Sequence, residues 1–434
     1  MSPEVTGLVG IGALLLLFFL RVPVAFAMAI VGLAGFAFLS SPGPALSILA
    51  LDIFHQFSSY PLSVIPMFIL MGSFAFASGI NRRLYDTAYI WIGHLRGGLT
   101  MATVLACSGF AAICGSTAAT AATMGKVALP EMKRYGYDDQ LATGTVAAAG
   151  TLGIIIPPST VLIVYGLLTE ESIGKLFVAG ILPGILLSLF FVLTVYIICK
   201  RNPSLGPPGD PTTWKKKFRS VNGIIEAAIL FALTVGGLLL GWFSPTQAGA
   251  IGAVGALIIG LARRELSWPK FMEASKDGIR TSCMVIFIIT GATIFGHFMA
   301  ISRIPFVLIE WLEMLAIPTM GIVLLIILIF FVGGFFMDSM ALIVLLIPIL
   351  YPLLNTLGID LIWFGVIVVL VAEMGVITPP VGINVFVIKG IAPDIPIETI
   401  FRGIFPFLIA LIIATIILIL IPQIATFLPS FTSY

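Results

Sequence analysis

Long uncharged hydrophobic runs alternate with short polar segments along the whole chain of 434 residues. A helix that crosses the hydrocarbon core of a bilayer needs about 20 mostly apolar residues, and most of the runs reach or approach that length. They cover residues 5–20, 22–51, 56–81, 97–125, 140–169, 176–199, 227–262, 281–302, 314–337, 339–359, a run interrupted by Glu373 that reaches Ile388, and 403–434. The run 227–262 is long enough for two helices. The pattern predicts an all-α polytopic membrane protein.

Composition supports this prediction and excludes soluble enzymes. Hydrophobic residues make up 59% of the chain, charged residues 10%, and the mean hydropathy is +1.16. A soluble domain carries about 25% charged residues, so this chain has too few charges to cover a water-facing surface. The net charge of +2 gives no indication of nucleic-acid binding, and we expect none. Residues 201–220, rich in Pro, Gly and Lys, predict a basic linker between two halves, 1–200 and 221–434.

Two runs have lengths that fit neither one span nor two. A straight helix over 97–125 would be about 44 Å long, whereas the hydrocarbon core is about 30 Å thick. A re-entrant hairpin over about 97–134, with its tip from Gly115 to Thr123, fits this length. A second hairpin is predicted in the same way over about 317–354, with Gly333-Gly334 to Ser339 at its tip.

The distribution of basic residues favours the two hairpins. If both segments return to the side they entered, 20 of the 22 Lys and Arg residues share one side, and only Lys175 and Arg303 do not. If each segment crosses once, the division is 14 against 8. Because positive charges collect in cytoplasmic loops, we expect ten spans plus two hairpins. The linker 201–220 then lies in the cytoplasm and both termini lie in the periplasm.

The two halves resemble each other. Three pairs of strings recur at nearly the same offset along the chain: G-S at 115–116 and G-G at 333–334, I-I-P-P-S at 155–159 and I-T-P-P-V at 377–381, and G-I-L-P at 180–183 and G-I-F-P at 403–406. Each half holds about five spans, one hairpin and one broken helix, over about 140–169 and 360–390, so the halves have opposite orientations. Inverted repeats with broken helices are typical of secondary transporters.

The Pro-Pro pairs predict ion ligands. Pro157-Pro158 removes two backbone donors and disfavours helical geometry before it, which frees carbonyl groups from Gly153 to Ile156. In lipid, such carbonyls are tolerated only where they face protein or a polar cavity, and there they suit Na⁺. Thr378, before the second Pro-Pro pair, repeats the arrangement. A kink with only a packing role is the alternative, but two equivalent breaks paired with two polar tips favour a site.

The tips add hydroxyl groups and a carboxylate. Close helix packing by small residues does not require the four hydroxyls of the first tip, and the free N–H groups of its second arm favour an anion. Asp338 is an intramembrane carboxylate, which indicates function by default, although it could also cap the helix that follows. For Glu373, a structural pair and a coupling role both stay open.

The strings of both halves resemble a known family. G-S-T-A-A-T-A-A-T-M-G, L-P-E-M, R-Y-G-Y-D, I-I-P-P-S, G-G-F-F-M-D-S and I-T-P-P-V-G-I-N occur in this order and are similar to the large membrane subunit of tripartite ATP-independent periplasmic (TRAP) transporters. The resemblance runs from about Pro3 to the end. It implies an elevator-type, ion-transporter-like fold in the bacterial inner membrane and Na⁺-coupled import of a small organic anion, with no organic cofactor. It also implies two partners, a separate small four-helix membrane subunit and a periplasmic substrate-binding protein.

The resemblance also implies residues for each site. The first Na⁺ site would use Gly115, Ser116, Gly153, Ile156 and Pro158. The second Na⁺ site would use Gly333, Gly334, Asp338, Thr378 and Gly382. Substrate would lie between the tips, near Ser116, Thr117, Thr120, Ser159 and Ser339. Val381 is the second-half counterpart of Ser159, so the two halves are not chemically equivalent.

Two other functions compete with this one. The sequence is also compatible with a stand-alone Na⁺/carboxylate symporter of similar architecture. An intramembrane aspartyl protease is disfavoured, because a partner for Asp86 should sit in a Gly-x-Gly-Asp string, whereas Asp338 follows Phe336-Met337. The sequence does not select among C4-dicarboxylates, other carboxylates, sialic acids and sulfonates.

Overall fold

The described part of the computed structural model is helical throughout. It covers residues 1–314 and 317–432; residues 315, 316, 433 and 434, which belong to the predicted second half, lie outside it. The first half contains α1 (Pro3–Phe19), α2 (Val24–Leu39), α3 (Pro42–Ser58), α4 (Val64–Ala77), α5 (Ile80–Ile92), α6 (Gly98–Cys114), α7 (Thr117–Arg134), α8 (Asp139–Gly150), α9 (Leu152–Ile155), α10 (Thr160–Thr169) and α11 (Ile173–Arg201). The second half contains α12 (Trp214–Ser220), α13 (Asn222–Phe231), α14 (Gly237–Leu239), α15 (Pro245–Ala262), α16 (Trp268–Ile301), α17 (Ile304–Met314), α18 (Thr319–Gly334), α19 (Ser339–Thr356), α20 (Leu361–Val376), α21 (Ile383–Ile391), α22 (Ile397–Leu420) and α23 (Gln423–Thr426).

Several of these helices are long and apolar enough to cross a membrane. Over the described residues there are seven such segments: α11, α15, α16, α19 and α22 singly, α8 to α10 together, and α12 to α14 together. An eighth is added if α3 and α4, which bend by 55° at their junction, form one span. Three of the ten expected spans, α1, α2 and α20, are apolar helices of 16 or 17 residues. The predicted linker is partly ordered as helix, because α12 occupies its last seven residues.

The helices form two packed groups. In the first group, α2 and α4 pack against α16, and α4 also packs against α15. Contact is close: a Cβ atom on Gly32 of α2 would lie 2.7 Å from the backbone of Phe295 in α16. The second group contains the two predicted hairpins, the two broken helices, α11 and α22. Within it, α8 packs against α22, α18 against α20, and α10 against α19.

Both predicted tips are sharp junctions with capped second arms. α6 ends at Cys114, and Gly115 with φ +65° turns the chain into α7, whose N-cap Ser116 accepts a hydrogen bond from Ala119 N at 3.4 Å. α18 ends at Gly334, and Asp338 caps α19 by accepting from Met340 N at 2.8 Å and Ala341 N at 3.4 Å. Such caps satisfy backbone donors that a helix start leaves free.

The caps correct the pairing of the two tips. The separation along the chain between Ser116 and Asp338 equals that between Asp138, the cap of α8, and Asp360, the cap of α20. The Pro-Pro pairs have the same separation. Ser116 therefore corresponds to Asp338, and not to Gly334 as the glycine strings indicated. The glycine strings predicted the wrong pairing because the two connections differ in length. Two residues connect α6 to α7 at the first tip, and four connect α18 to α19 at the second.

Candidate functional site

A cavity of about 490 Å³ lies between the two groups of helices. The first group contributes α4 and α16, and the second contributes both tips and both broken helices. Its polar lining residues are Ser73, Ser116, Thr117, Thr160, Asp277, Thr281, Asp338, Ser339, Glu373 and Asn384. The cavity therefore brings together residues from both halves of the sequence.

The carboxylate of Glu373 lies between the two tips. Thr117 Oγ1 donates to Glu373 Oε2 at 2.8 Å, and Ser339 Oγ donates to Glu373 Oε1 at 2.5 Å. Glu373 is 1% exposed. Thr117 and Ser339 are the first residues of α7 and α19, and each directly follows its cap, so their positions are equivalent. One side chain of α20 thus holds the start of the second arm in both halves.

Four of the five residues predicted for the first Na⁺ site meet at one junction. A Cβ atom on Gly153 would lie 2.5 Å from the Ser116 carbonyl oxygen, and one on Gly115 would lie 2.7 Å from the Pro158 carbonyl oxygen. Thr160 Oγ1 also donates to the Gly115 carbonyl oxygen at 2.8 Å. The junction therefore concentrates carbonyl and hydroxyl oxygens, which are the ligands of hard cations.

The fifth residue of that set lies differently. The side chain of Ile156 packs against Gly184 of α11, where an added Cβ would lie 2.5 Å from it. Ile156 N donates to the Leu152 carbonyl oxygen at 3.1 Å, which closes α9. The Ile156 side chain therefore faces α11, whereas the other four residues meet at the first tip.

The residues predicted for the second Na⁺ site are more dispersed. Asp338 is exposed at the cavity, and its Oδ1 serves the cap of α19. Gly334 packs against the broken helix, where an added Cβ would lie 2.9 Å from the Ala372 carbonyl oxygen, whereas Gly333 faces Leu342. The last two residues make other contacts. They are Thr378, whose hydroxyl donates to the Met374 carbonyl oxygen, and Gly382 (φ +62°), which packs beside Phe401.

The residues predicted to bind substrate divide into two sets. Ser116, Thr117 and Ser339 line the cavity. Thr120 and Ser159 are fully buried behind it: a Cβ on Gly153 would lie 2.7 Å from Thr120 Oγ1, and Ser159 Oγ accepts from Leu162 N at 3.2 Å as the cap of α10.

Comparison with known proteins places the chain in a family. Residues 11–424 match the family described as "Tripartite ATP-independent periplasmic transporter, DctM component". The chain therefore belongs to the DctM family of TRAP transporter components. It is 37% identical over 385 residues to the C4-dicarboxylate TRAP transporter large permease protein DctM of Pseudomonas aeruginosa, covering 88% of this chain and 89% of that relative. The resemblance inferred from the tips and breaks is confirmed.

Two further relatives of this DctM-family chain are named for other substrates. It is 31% identical to the sialic acid TRAP transporter large permease protein SiaM of Vibrio cholerae, over 95% of this chain and 96% of that protein. It is 37% identical to the isethionate TRAP transporter permease protein DctMQ of Oleidesulfovibrio alaskensis, over 92% of this chain and 62% of that longer protein. These relatives are all named as permeases, which agrees with membership of a transporter component family.

Solved structures support the fold. The YdaH transporter of Alcanivorax borkumensis superposes with a TM-score of 0.68 at 16% identity, over 94% of this chain and 97% of that one. MtrF of Neisseria gonorrhoeae gives a TM-score of 0.60 at 14% identity, over 97% and 95%. At such identities the likeness concerns the fold alone. The predicted all-α membrane fold is confirmed, whereas the orientation of the repeats stays a prediction.

Three residues of the site were missed in the sequence of this DctM-family chain. Gly375 packs against Gly334. It lies as far after Gly153 in the chain as Asp338 lies after Ser116, so it is the second-half counterpart of Gly153. This constant separation is the sequence signal that identifies Gly375. Asn384 is fully buried; its Nδ2 donates to the Ala147 carbonyl oxygen at 3.0 Å, and its Oδ1 has no partner among the described residues. Asp277 lies on α16, and nothing in the sequence places that helix beside the tips.

The cavity is acidic. Asp277, Asp338 and Glu373 line it, and its described lining residues include no Lys, Arg or His. The N-termini of α7 and α19 also open on it and supply partial positive charge. Across the described residues, no three His, Cys, Asp or Glu side chains cluster closely enough to hold a metal ion. Ion ligands at this site would therefore be mainly backbone carbonyls and hydroxyls.

Proposed function

We propose that this chain couples the entry of Na⁺ to the import of a small organic anion across the bacterial inner membrane, as the large subunit of a TRAP system. The carrying observation is the lining of the cavity, where the exposed carboxylates of Asp277 and Asp338 and the buried carboxyl group of Glu373 meet no basic side chain among the described lining residues. At 4 Å and an effective dielectric constant of 20, one carboxylate repels a unit anion by about 4 kcal/mol. An anion therefore needs bound cations to enter, and Na⁺ gradients supply them.

The oxygen-rich junctions are the proposed cation sites. The first Na⁺ would bind where Gly115 and Ser116 meet Gly153 and Pro158. The second would bind near Asp338, whose Oδ1 serves the helix cap and whose Oδ2 takes no part in it. The anion would lie between the tips, in contact with Ser116, Thr117 and Ser339, where the N-termini of α7 and α19 offer backbone N–H groups.

The arrangement of the helices suits an elevator mechanism. The group that carries both tips would slide against α2, α4, α15 and α16, and the cavity lies at the boundary between them. We infer that both termini lie in the periplasm and residues 201–220 in the cytoplasm. By the family resemblance, the partners are a small four-helix membrane subunit and a periplasmic binding protein. Relatives named for C4-dicarboxylates, isethionate and sialic acid support an organic acid as substrate.

Uptake into proteoliposomes tests the proposal. The chain is reconstituted with its small subunit, the binding protein is added outside, and radiolabelled succinate, isethionate and N-acetylneuraminate are the probes. We expect uptake of one probe that requires an inward Na⁺ gradient and the binding protein, without ATP. Equal uptake with K⁺ or choline in place of Na⁺ would refute Na⁺ coupling. Uptake without the binding protein would favour a stand-alone symporter.

A further inference from the structure

One carboxylate in the described cavity contacts both tips. Glu373 of α20 accepts from Thr117 at one oxygen and from Ser339 at the other, at 2.8 and 2.5 Å. Both donors are the first residues of the second arms, and each directly follows a residue that we assign to a Na⁺ site, Ser116 or Asp338. The carboxylate is thus one residue away from each proposed ion site.

Glu373 connects the two tips, whereas its counterpart in the first half does not. Thr151 occupies the first-half position that corresponds to Glu373 by the separation of the caps. Its hydroxyl donates to the Ala148 carbonyl oxygen in its own turn at 2.7 Å. The position equivalent to Glu373 therefore serves a local helix bond in the first half and a connection between tips in the second.

The two hydrogen bonds of Glu373 resist displacement of either tip. Glu373 is almost completely buried, and both of its carboxyl oxygens are hydrogen-bonded to a tip. A buried polar atom that loses its partner costs about 1–3 kcal/mol, because no water replaces the lost hydrogen bond. Displacement of either tip would leave the carboxylate dependent on the other donor alone. The position of one tip therefore affects the free energy of moving the other.

We propose that Glu373 is a positioning residue that couples the two tips, so that Na⁺ bound at one raises the affinity for Na⁺ at the other. This inference rests on the proposed function, because it assumes that ions bind beside both tips. It assigns to Glu373 a role in cooperativity and not direct contact with the transported anion.

The test measures Na⁺ binding without transport. The full chain, in complex with its small subunit, is equilibrated with radiolabelled NaCl while KCl keeps the ionic strength constant, and the bound Na⁺ is counted. The binding curve gives a half-saturating concentration and a Hill coefficient. We expect a Hill coefficient above 1 for the unmodified protein. For Glu373→Gln, which keeps the side-chain volume, we expect a coefficient near 1 and a half-saturating concentration raised about tenfold.

A double-mutant cycle distinguishes coupling from general damage. Thr117→Val and Ser339→Ala each remove one donor, so each should lower the Hill coefficient to the value seen with Glu373→Gln. Combining the two should lower it no further, because the link is already broken. In the Glu373→Gln background, neither change should alter it. Thr169→Val is the matched control, because the Thr169 hydroxyl is also buried and donates within its own helix, to the Tyr165 carbonyl oxygen at 2.8 Å.

The outcomes separate this inference from the proposed function. If the unmodified protein shows no saturable binding of Na⁺, Na⁺ coupling itself fails. If Na⁺ binds but the coefficient is 1, or Glu373→Gln retains the original coefficient, only the inference is overturned. Should Glu373→Gln not fold, the two hydroxyl variants decide the matter by the same criterion.

Discussion

Replacing Gly153 by Ala adds one methyl group at the junction proposed for the first Na⁺. The new Cβ would lie 2.5 Å from the Ser116 carbonyl oxygen and 2.7 Å from Thr120 Oγ1. Ordinary van der Waals contact begins at 3.4 Å, so Ser116 must retreat by about 0.9 Å. The obstacle is backbone, which cannot rotate away as a side chain can.

The size of the effect follows from this displacement. Overpacking a well-packed interior costs about 1–3 kcal/mol. If the tip stays in place, the strain lowers the free energy of unfolding by that amount. If the tip retreats, the Ser116 oxygen is misplaced by far more than the about 0.2 Å that metal–ligand distances tolerate. Na⁺ affinity then falls by the same free energy, which is about 5- to 150-fold.

Thermal unfolding of the complex in NaCl and in equimolar KCl measures both effects. Gly375→Ala should behave in the same way, because its Cβ would collide with the backbone of Gly334. Gly390→Ala is the matched control, since an added Cβ there meets nothing within 4 Å. The reasoning fails if Gly153→Ala matches Gly390→Ala both in the midpoint in KCl and in the rise of the midpoint that NaCl causes.

Two further changes test charge and topology. Asp338→Asn keeps an oxygen that can accept from Met340 N and Ala341 N, so α19 stays capped. Because the negative charge is lost, Na⁺-driven uptake should fall at least tenfold. Near-normal uptake would show that Asp338 serves only as a helix cap. Ser204→Cys and Ser430→Cys, introduced singly without the four native cysteines, place exposed thiols in the linker and near the C-terminus. An impermeant maleimide added to intact spheroplasts should label only Ser430→Cys, and the reverse pattern would overturn the predicted topology.

The sequence reveals the tips and breaks because their signals are local. A Pro-Pro pair interrupts a helix wherever it occurs, and Gly115 with its following hydroxyls marks a turn and a cap. The correspondence between the halves was harder to establish. Glycines ended the first arms at positions that do not correspond, whereas the caps Ser116 and Asp338 kept the separation of the Pro-Pro pairs. Cap residues gave the better alignment because they fix where a helix begins.

The role of Glu373 could not be derived in this way. Its partners Thr117 and Ser339 are 256 and 34 residues away in the chain, and hydrophobic patterns do not report such distances. The same limit applies to Asp277, which reaches the cavity from the other group of helices. A run of apolar residues shows that a helix is buried or in lipid, but not which helix it faces.

The charge of the cavity imposes an order on the proposed transport cycle. An empty cavity lined by the exposed carboxylates of Asp277 and Asp338 attracts cations and repels anions, so Na⁺ should bind first. Each bound cation removes repulsion of about 4 kcal/mol per carboxylate at close range, and only then does the anion gain from the helix N-termini of α7 and α19. An anion without Na⁺ would be poorly bound in every position of the elevator. In this proposed cycle, tight coupling would need no separate gate, because the acidic residues that would attract the ions would also exclude the anion until the ions are bound.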